Sequence, residues 1–186
     1  MHLQKILEQL DNIDLSVIKL KNILIEFKNN IEIMNALASH INKKSIMYEY
    51  NQEEIELMVN LLVKLSYIDN INIKIAVAKN SYTPNYILKK LSKSRVDLIR
   101  ATVSTNENAN SYILNRLYKD RVEIVIDALA GNSATPIKIL DKLSRSRDKM
   151  IRMRVAENPS TPKYILERLI SNSDGDVIKA SKNSLN

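Results

Sequence analysis

From residue 73 onward, apolar and polar positions follow a pattern that recurs every 26 residues. Each copy holds an Ile-Leu pair and, three positions later, a second Leu, so that the three side chains share one helix face. An Asn precedes this triplet by seven positions. The shared residues of the four complete copies are Asn80, Asn106, Asn132 and Asn158; Ile87, Ile113, Ile139 and Ile165; Leu88, Leu114, Leu140 and Leu166; and Leu91, Leu117, Leu143 and Leu169. Such a repeat predicts a stack of short helices.

The repeat predicts two helical elements in each copy. The copies are 73–98, 99–124, 125–150 and 151–176, and 177–186 begins a fifth. In three copies the apolar triplet follows a Thr-Pro pair: Thr83-Pro84, Thr135-Pro136 and Thr161-Pro162. We expect Thr to cap a helix of about ten residues and Pro to take its first helical position, where an N–H has no partner. The second element, 96–103 in the first copy, is predicted to be a short α-helix or a 3₁₀-helix.

The Thr-Pro exception in the second copy and the shared Asn both lead to predictions about the loops of the repeat. The second copy has Ala109-Asn110 in place of Thr-Pro, so its helix is expected to begin at Asn108 or to fray. The shared Asn follows the second element. We expect it to end that element, either in a left-handed conformation or by bonding loop backbone that would otherwise be buried unpaired. A row of ligand-binding Asn side chains is the alternative.

Residues 1–70 show helical patterns without the repeat. Apolar stripes predict helices near 3–10, near 20–27 with Asp14 as cap, and over 31–41, and the polar stretch 42–50 separates these from a strong helix that begins at Asn51. Because a helical array exposes its end units, 1–70 is predicted to be an N-terminal helical cap on the repeat region 71–186. An independent functional domain is the alternative.

Composition restricts the class of protein. The chain has 45% hydrophobic residues but only two Gly and four Pro, which favours helices over a sheet with many turns. It has no Cys, so disulfides, thiolate metal sites and cysteine nucleophiles are excluded. Neither a signal-peptide pattern nor a membrane-spanning run occurs, and we expect a cytoplasmic protein. Residues 1–70 carry 7 Lys, no Arg and 10 acidic residues, so the net charge of +7 comes from the repeats.

The repeats resemble a known family. The copy at 151–169 reads Ile-Arg-Met-Arg-Val-Ala-Glu-Asn-Pro-Ser-Thr-Pro-Lys-Tyr-Ile-Leu-Glu-Arg-Leu. This resembles the leucine-rich repeat variant family of bacteria, with its pattern Val-Arg-x-x-Val-Ala-x-Asn-Pro-x-Thr-Pro-x-x-Val-Leu-x-x-Leu, over residues 73–186. The resemblance implies an all-α fold, a right-handed α-solenoid of α- and 3₁₀-helices related to armadillo and HEAT repeats. It implies an interaction scaffold and supplies no catalytic residues. The founding member holds an iron–sulfur cluster through cysteines, which this chain lacks.

A flank of aromatic and basic side chains is the candidate binding surface. Repeat positions 14, 18 and 21 lie one helical turn apart on one side of the first element. We define the basic flank as these positions together with one Arg of the following loop. Its members are Tyr86, Lys90, Lys93 and Arg95; Tyr112, Arg116, Lys119 and Arg121; Lys138, Lys142, Arg145 and Arg147; and Tyr164, Arg168 and Ser171. Lys74, Arg100 and Arg152 recur near the second element.

The basic flank predicts an anionic macromolecular partner, most simply an acidic protein surface. Repeats stacked about 10 Å apart would form a row of about 40 Å, against about 34 Å for a turn of duplex, so sequence-nonspecific DNA or RNA binding is the alternative. If the flank has no partner, its Lys and Arg side chains are simply the solvated surface of the repeat, with their stems covering the Tyr rings.

Catalysis finds no support in the sequence. His2 and His40 lack metal-ligand spacing, and His40 is interpreted as a helix-end residue. We predict no cofactor, metal, small-molecule substrate or membrane contact. An enzyme would require Asp97, Asp120, Glu123 and Asp127 to converge in one pocket.

Overall fold

The computed structural model describes residues 2–12, 15–47, 50–171 and 174–185, and in these ranges all regular elements are α-helices. The helices are α1 (His2–Asp11), α2 (Val17–Phe27), α3 (Ile31–Met47), α4 (Gln52–Leu65), α5 (Ile71–Lys79), α6 (Asn85–Leu91), α7 (Asp97–Thr105), α8 (Ser111–Leu117), α9 (Glu123–Gly131), α10 (Ile137–Leu143), α11 (Lys149–Glu157), α12 (Lys163–Ile170) and α13 (Gly175–Asn183). The predicted all-α class is confirmed.

The chain forms two compact units, Met1–Leu91 and Ser92–Asn186. The division falls within the first copy of the repeat, so that α5 and α6 belong to the first unit. In that unit α1 packs on α3, α2 on α3 and α4, and α5 on α3 and α4. The hand of a superhelix and the capping role of residues 1–70 stay predictions.

Side chains and local caps explain the helices of the first unit. Asn51 and Glu54 form a capping box in which each side chain accepts a hydrogen bond from the other residue's backbone N–H. Ser16 caps α2, because its hydroxyl accepts from the N–H of Lys19. Asp14, the predicted cap, lies outside the described residues.

The third helix corrects two expectations. It runs from Ile31 to Met47, beyond the predicted end at Ile41. The polar residues after Ile41 end the apolar face of the helix, but they do not end the helix itself. His40 is not a helix-end residue. It is buried within α3, and its Nδ1 donates to the carbonyl of Leu10 at 2.7 Å, which joins α3 to α1.

The second unit repeats two kinds of helix. The seven- or eight-residue helices α8, α10 and α12 begin 26 residues apart, as do the nine-residue helices α7, α9, α11 and α13. The helices of the longer kind pack in order, α7 on α9, α9 on α11 and α11 on α13. The Ile and Leu triplets of α8, α10 and α12 are all buried. The second element of the repeat is therefore an α-helix, and the first element is shorter than the predicted ten residues.

The Thr-Pro pairs do not act as predicted. Pro136 and Pro162 are the cap residues of α10 and α12 and lie before the first helical position. Their neighbours Thr135 and Thr161 are buried, and each hydroxyl donates backwards to a carbonyl in the last turn of the preceding longer helix, at 2.6 Å in both copies. Thr83 does the same with Val77 in the first unit. Each of these carbonyls lies in the last turn, where no N–H four residues on is available within the helix, and it accepts the Thr hydroxyl in addition to the backbone N–H of the following Asn.

The second copy keeps the common helix start without Thr or Pro. Asn110 caps α8, and its side chain accepts from the N–H of Ile113 at 3.1 Å. The helix therefore begins at Ser111, the position equivalent to the other copies. The predicted start at Asn108 was wrong because the amide side chain of Asn110 supplies the cap that the missing hydroxyl was expected to provide.

The shared Asn side chains form hydrogen bonds with the backbone of the loop, which is the second of the two predicted ways of ending the helix. None of the four Asn residues has the left-handed conformation that was the first. Asn132 has φ −77° and ψ 123°, an extended conformation. Its Oδ1 accepts from the N–H of Ala134 at 2.8 Å, and its Nδ2 donates to the carbonyls of Ser104 at 2.7 Å and Asn106 at 3.1 Å. Asn158 repeats these bonds one copy later. Asn132 and Asn158 thus each link their own loop to the preceding copy, whereas Asn80 donates to Asn42 of α3 at 3.0 Å.

None of the described helices combines the length and the apolar character that a membrane span requires.

Candidate anion-binding groove

Part of the basic flank surrounds a groove in the second unit, which we call the basic groove. It has a volume of about 420 Å³ and lies beside the C-terminal end of α8 and the loop that follows. Its lining residues are Ser92, Lys93, Ser94, Arg100, Arg116, Leu117, Lys119, Asp120, Arg121 and Val122. Five of these are basic and one is acidic, so the groove carries an excess of positive charge.

One basic residue of the groove is held by carboxylates. The Nε of Arg100 lies 2.7 Å from Oδ2 of Asp120, and its Nη2 lies 3.1 Å from Oδ1 of Asp120 and 2.8 Å from Oδ1 of Asp97. Its Nη1 donates to the carbonyl of Ser94 at 2.9 Å. The hydrogen bond from Arg100 lowers the pKa of Asp120, and the same bond raises the pKa of Arg100. Arg100 therefore helps to build the wall of the groove, and its charge is already compensated.

The other four basic residues of the groove are exposed: Lys93, Arg116, Lys119 and Arg121. None of them forms an ion pair with a residue in the described part of the chain. Two guanidinium and two ammonium groups therefore border one groove without a counter-charge. Guanidinium groups bind carboxylate or phosphate oxygens in pairs, and ammonium groups bind them as point charges. This arrangement can bind an anionic group.

Several basic residues of the third and fourth copies contact carboxylates or aromatic rings of the chain itself. Arg168 pairs with Asp141 at 2.8 Å and donates to the hydroxyl of Ser144, and its hydrogen bond lowers the pKa of Asp141. Arg145 pairs with the same carboxylate at 3.4 Å. Lys142 lies over the ring of Tyr118, 5.5 Å from its centre. Four flank cations without an ion pair to a described residue therefore border the basic groove, whereas Arg95, Lys138 and Arg147 are exposed cations that lie outside it.

The remaining members of the basic flank lie at the surface. Tyr112 and Tyr164 are exposed, and each stands one helical turn before an arginine. Lys138 and Arg147 are exposed, and neither pairs with a described carboxylate. In the first unit Tyr86 is exposed and Lys90 lies over the ring of Tyr67 at 4.2 Å. Arg95 is exposed in the second unit.

The recurring Lys and Arg residues near the second element serve the loops. Arg152 donates to the carbonyl of Ser146 at 2.8 Å, and Arg100, at the equivalent position two repeats earlier, donates to the carbonyl of Ser94. Lys74 in the first unit pairs with Asp69 at 2.5 Å. Sequence reasoning named Asp120 only among the four acidic residues that an enzyme would require. Asp120 lies three residues before the start of α9 at Glu123, in the same copy as Arg100, and the recurrence of a basic residue at the position of Arg100 was the available signal for the pair.

The four acidic residues that an enzyme would require do not meet in one pocket. Asp97 and Asp120 bind Arg100, whereas Glu123 and Asp127 line a different groove of about 410 Å³ together with Asp148. The carboxyl of Asp148 raises the pKa of Glu123 through a shared hydrogen bond and through like charge. Among the described residues no group of three or more His, Cys, Asp or Glu side chains is placed to hold a metal ion.

Comparison with known proteins finds a likeness in structure. No protein-family model matches the chain, and no curated protein matches it. Among solved structures, it is similar to "a leucine-rich repeat variant with a novel repetitive protein structural motif". The two chains are 15% identical, and the match covers 85% of this chain and 83% of that one with a TM-score of 0.38. No activity or partner follows from this likeness.

Proposed function

We propose that the protein is a non-catalytic binding scaffold whose basic groove takes up an acidic segment of another protein. The observation that carries the proposal is the set of four exposed cations at one groove, without ion pairs to described residues. Complementary charge of this kind steers association and selects partners. The cytoplasmic location and bacterial origin expected from the sequence stay predictions.

An acidic protein segment is favoured over a nucleic acid by the distribution of free charge. A duplex presents phosphates continuously, and a protein that tracks it needs free cations along its whole contact. Arg168, Arg145 and Lys142 of the later copies already have partners within the chain. The four unpaired cations of the basic groove, by contrast, lie close together, and they suit a short run of carboxylates.

Nucleic-acid binding remains the second candidate because of the exposed tyrosines. Tyr112 and Tyr164 expose 61% and 54% of their surface, and each precedes an arginine by four residues. Exposed aromatic rings beside basic groups can stack with unpaired bases. A single-stranded ligand would use this combination better than a duplex would.

Fluorescence anisotropy with three labelled probes tests the proposal: a peptide of alternating Asp and Glu with Gly spacers, a mixed-sequence single strand, and the matching duplex. We expect the peptide to bind, and we expect Arg116→Glu with Arg121→Glu to weaken it by at least about tenfold, since both guanidinium groups border the groove. The matched control is Lys138→Glu with Arg147→Glu, which reverses two exposed charges outside the groove and should change affinity by less than about twofold.

The salt dependence separates the two candidates. Four cations that neutralise phosphates would give a slope of log affinity against log salt of about −3.6 for a duplex. Strand or duplex binding that exceeds peptide binding at physiological salt, with a slope at least this steep, would replace the proposal with the nucleic-acid candidate. Equal losses in the groove variant and its control would reject the groove for every probe.

A further inference from the structure

The first unit contains an apolar pocket at the C-terminal ends of two packed helices, α2 and α4. The pocket has a volume of about 480 Å³. Its lining residues are Leu24, Ile25, Lys28, Asn29, Lys64, Tyr67 and Ile68. Leu24 is buried and forms part of its floor, whereas Ile25 and Tyr67 are 54% and 69% exposed. Single exposed apolar residues are ordinary on a protein surface, but two at the edge of one pocket mark a place where apolar side chains can be buried.

Lysine side chains border this pocket. Lys28 and Lys64 line it, at the ends of α2 and α4, and the ammonium of Lys90 in α6 lies 4.2 Å from the centre of the Tyr67 ring. Lys28 and Lys64 are exposed, and neither pairs with a carboxylate of the described residues.

The pocket is bordered by basic side chains, although residues 1–70 are acidic overall. Residues 1–70 hold more acidic than basic residues, yet no carboxylate lines the pocket. The nearest acidic residue along the chain from Ile68, Asp69, is paired with Lys74 at 2.5 Å. The pocket therefore presents an apolar interior and a basic edge that the first unit itself does not neutralise.

We propose that this pocket is a second docking site, which binds a protein segment that inserts an apolar side chain and places carboxylates against Lys28, Lys64 and Lys90. The volume suits one or two large side chains. The ammonium groups come from the ends of two helices and from a third helix, so they can meet several separate carboxylates. This distribution fits an acidic peptide better than the single head group of an anionic amphiphile.

The site is independent of the basic groove, because all of its residues belong to the first unit. A library of random peptides of about a dozen residues, displayed on phage, is selected against the full chain carrying Arg116→Glu and Arg121→Glu. These substitutions keep the basic groove from capturing acidic peptides. Enriched peptides are then synthesised with a fluorescent label, and their affinities are measured by anisotropy at physiological salt. Failure of the groove proposal leaves this experiment unaffected.

We expect the enriched peptides to combine Asp or Glu with Leu, Phe or another large apolar residue. Ile25→Ser and Lys64→Glu should each weaken their binding by about tenfold or more. Two matched controls lie on α2 outside the pocket: Ile18→Ser, whose side chain is 57% exposed, and the exposed Lys21→Glu. Each should change affinity by less than about twofold.

Several results would overturn the proposal. It fails if no peptide is enriched, if Ile18→Ser weakens binding as much as Ile25→Ser, or if Lys64→Glu has no effect. A calorimetric titration with dodecanoate tests whether an anionic amphiphile binds in place of a peptide. If dodecanoate binds with the same dependence on Ile25 and Lys64 and the peptides do not, the occupant is an anionic amphiphile and not a protein segment.

Discussion

At the scale of the residue, buried polar side chains determine how each loop of the repeat is held. Asn132 and Asn158 satisfy backbone groups of two successive copies, and Thr135 and Thr161 satisfy a carbonyl of the preceding helix. Buried backbone groups without partners are costly. These hydrogen bonds explain why Asn and Thr recur at these positions, and no bound ligand is needed to explain the row of Asn residues.

Replacing Asn132 by Ala should destabilise the protein strongly. The change removes the amide partner of the Ser104 carbonyl and of the Ala134 N–H, at a cost of about 1 to 3 kcal/mol for each group left unsatisfied, whereas the Asn106 carbonyl still accepts from the N–H of Ala109. Urea unfolding measures the loss. Asn115→Ala, which removes an exposed amide bonded only to Ser111, is the control and should cost less than about 0.5 kcal/mol. Equal losses in the two variants would show that the Asn bonds do not stabilise the repeat.

Installing Thr at position 109 should stabilise the second copy. Ala109 is buried at the position where the other copies place a hydroxyl against a helix-end carbonyl. Ala109→Thr would supply that bond to Val103, which should raise the free energy of unfolding by about 0.5 to 1.5 kcal/mol. Ala109→Val adds similar volume without a hydroxyl and separates the hydrogen bond from packing. If Val stabilises as much as Thr, the hydroxyl bond is not the cause.

At the scale of the element, the short helices depend on packing. A helix of seven residues such as α8 or α10 is too short to be stable by itself in water. Each buries its Ile-Leu-Leu triplet completely or nearly so. The longer helices pack in a continuous series from α7 to α13, so each copy is stabilised chiefly by its neighbours.

Truncation of the central Leu in these helices tests this dependence. Leu114 and Leu140 are fully buried, and either Leu→Ala change should cost about 2 to 5 kcal/mol in denaturant melts. Ile137, on the exposed side of α10 with 51% of its surface accessible, provides the control. Ile137→Ala should cost under about 0.5 kcal/mol. If both leucines cost no more than Ile137, the assigned core face is wrong.

At the scale of the whole molecule, ion pairs make stability depend on pH. The pKa values of Asp120 and Asp141 are lowered by hydrogen bonds from Arg100 and Arg168. A carboxyl with a lowered pKa stabilises the folded state fully above its ordinary value of 3.8, and that contribution disappears as the pH falls through the lowered value. Glu123 has the opposite sign, because its raised pKa makes the folded protein bind its proton more readily than the unfolded chain does.

Asp120→Asn should therefore flatten the acid side of the stability profile. At neutral pH we expect the variant to lose about 1.5 to 3 kcal/mol, since a charged hydrogen bond to the half-buried Arg100 is removed. Below pH 4 the wild type should lose stability faster than the variant, so the two curves should converge. Urea unfolding between neutral pH and pH 3 measures this. Parallel curves would show that the Arg100 pair does not govern the acid response.

Much of the fold could be predicted from the sequence, because helix periodicity and end signals are local. The 26-residue spacing placed the helices in register, and the triplets at Leu114 and Leu140 identified the core face. The start of α8 was missed because the absent Thr hydroxyl was taken as the loss of a cap, although Asn110 is itself a good cap residue and its side chain accepts from the N–H of Ile113. The direction of the Thr hydroxyls could not be predicted, since their acceptors lie six residues earlier across a turn.

The sequence by itself determined the all-α repeat, its buried positions and its excess of basic residues. Only the tertiary structure decided which charges remain available. Arg100 meets Asp120 across 20 residues and Arg168 meets Asp141 across 27, distances over which a repeat pattern cannot show whether two side chains touch. Because packing brings some cations to carboxylates and leaves others at a groove, Lys93, Arg116, Lys119 and Arg121 form the candidate site, and Arg168 belongs to the structure.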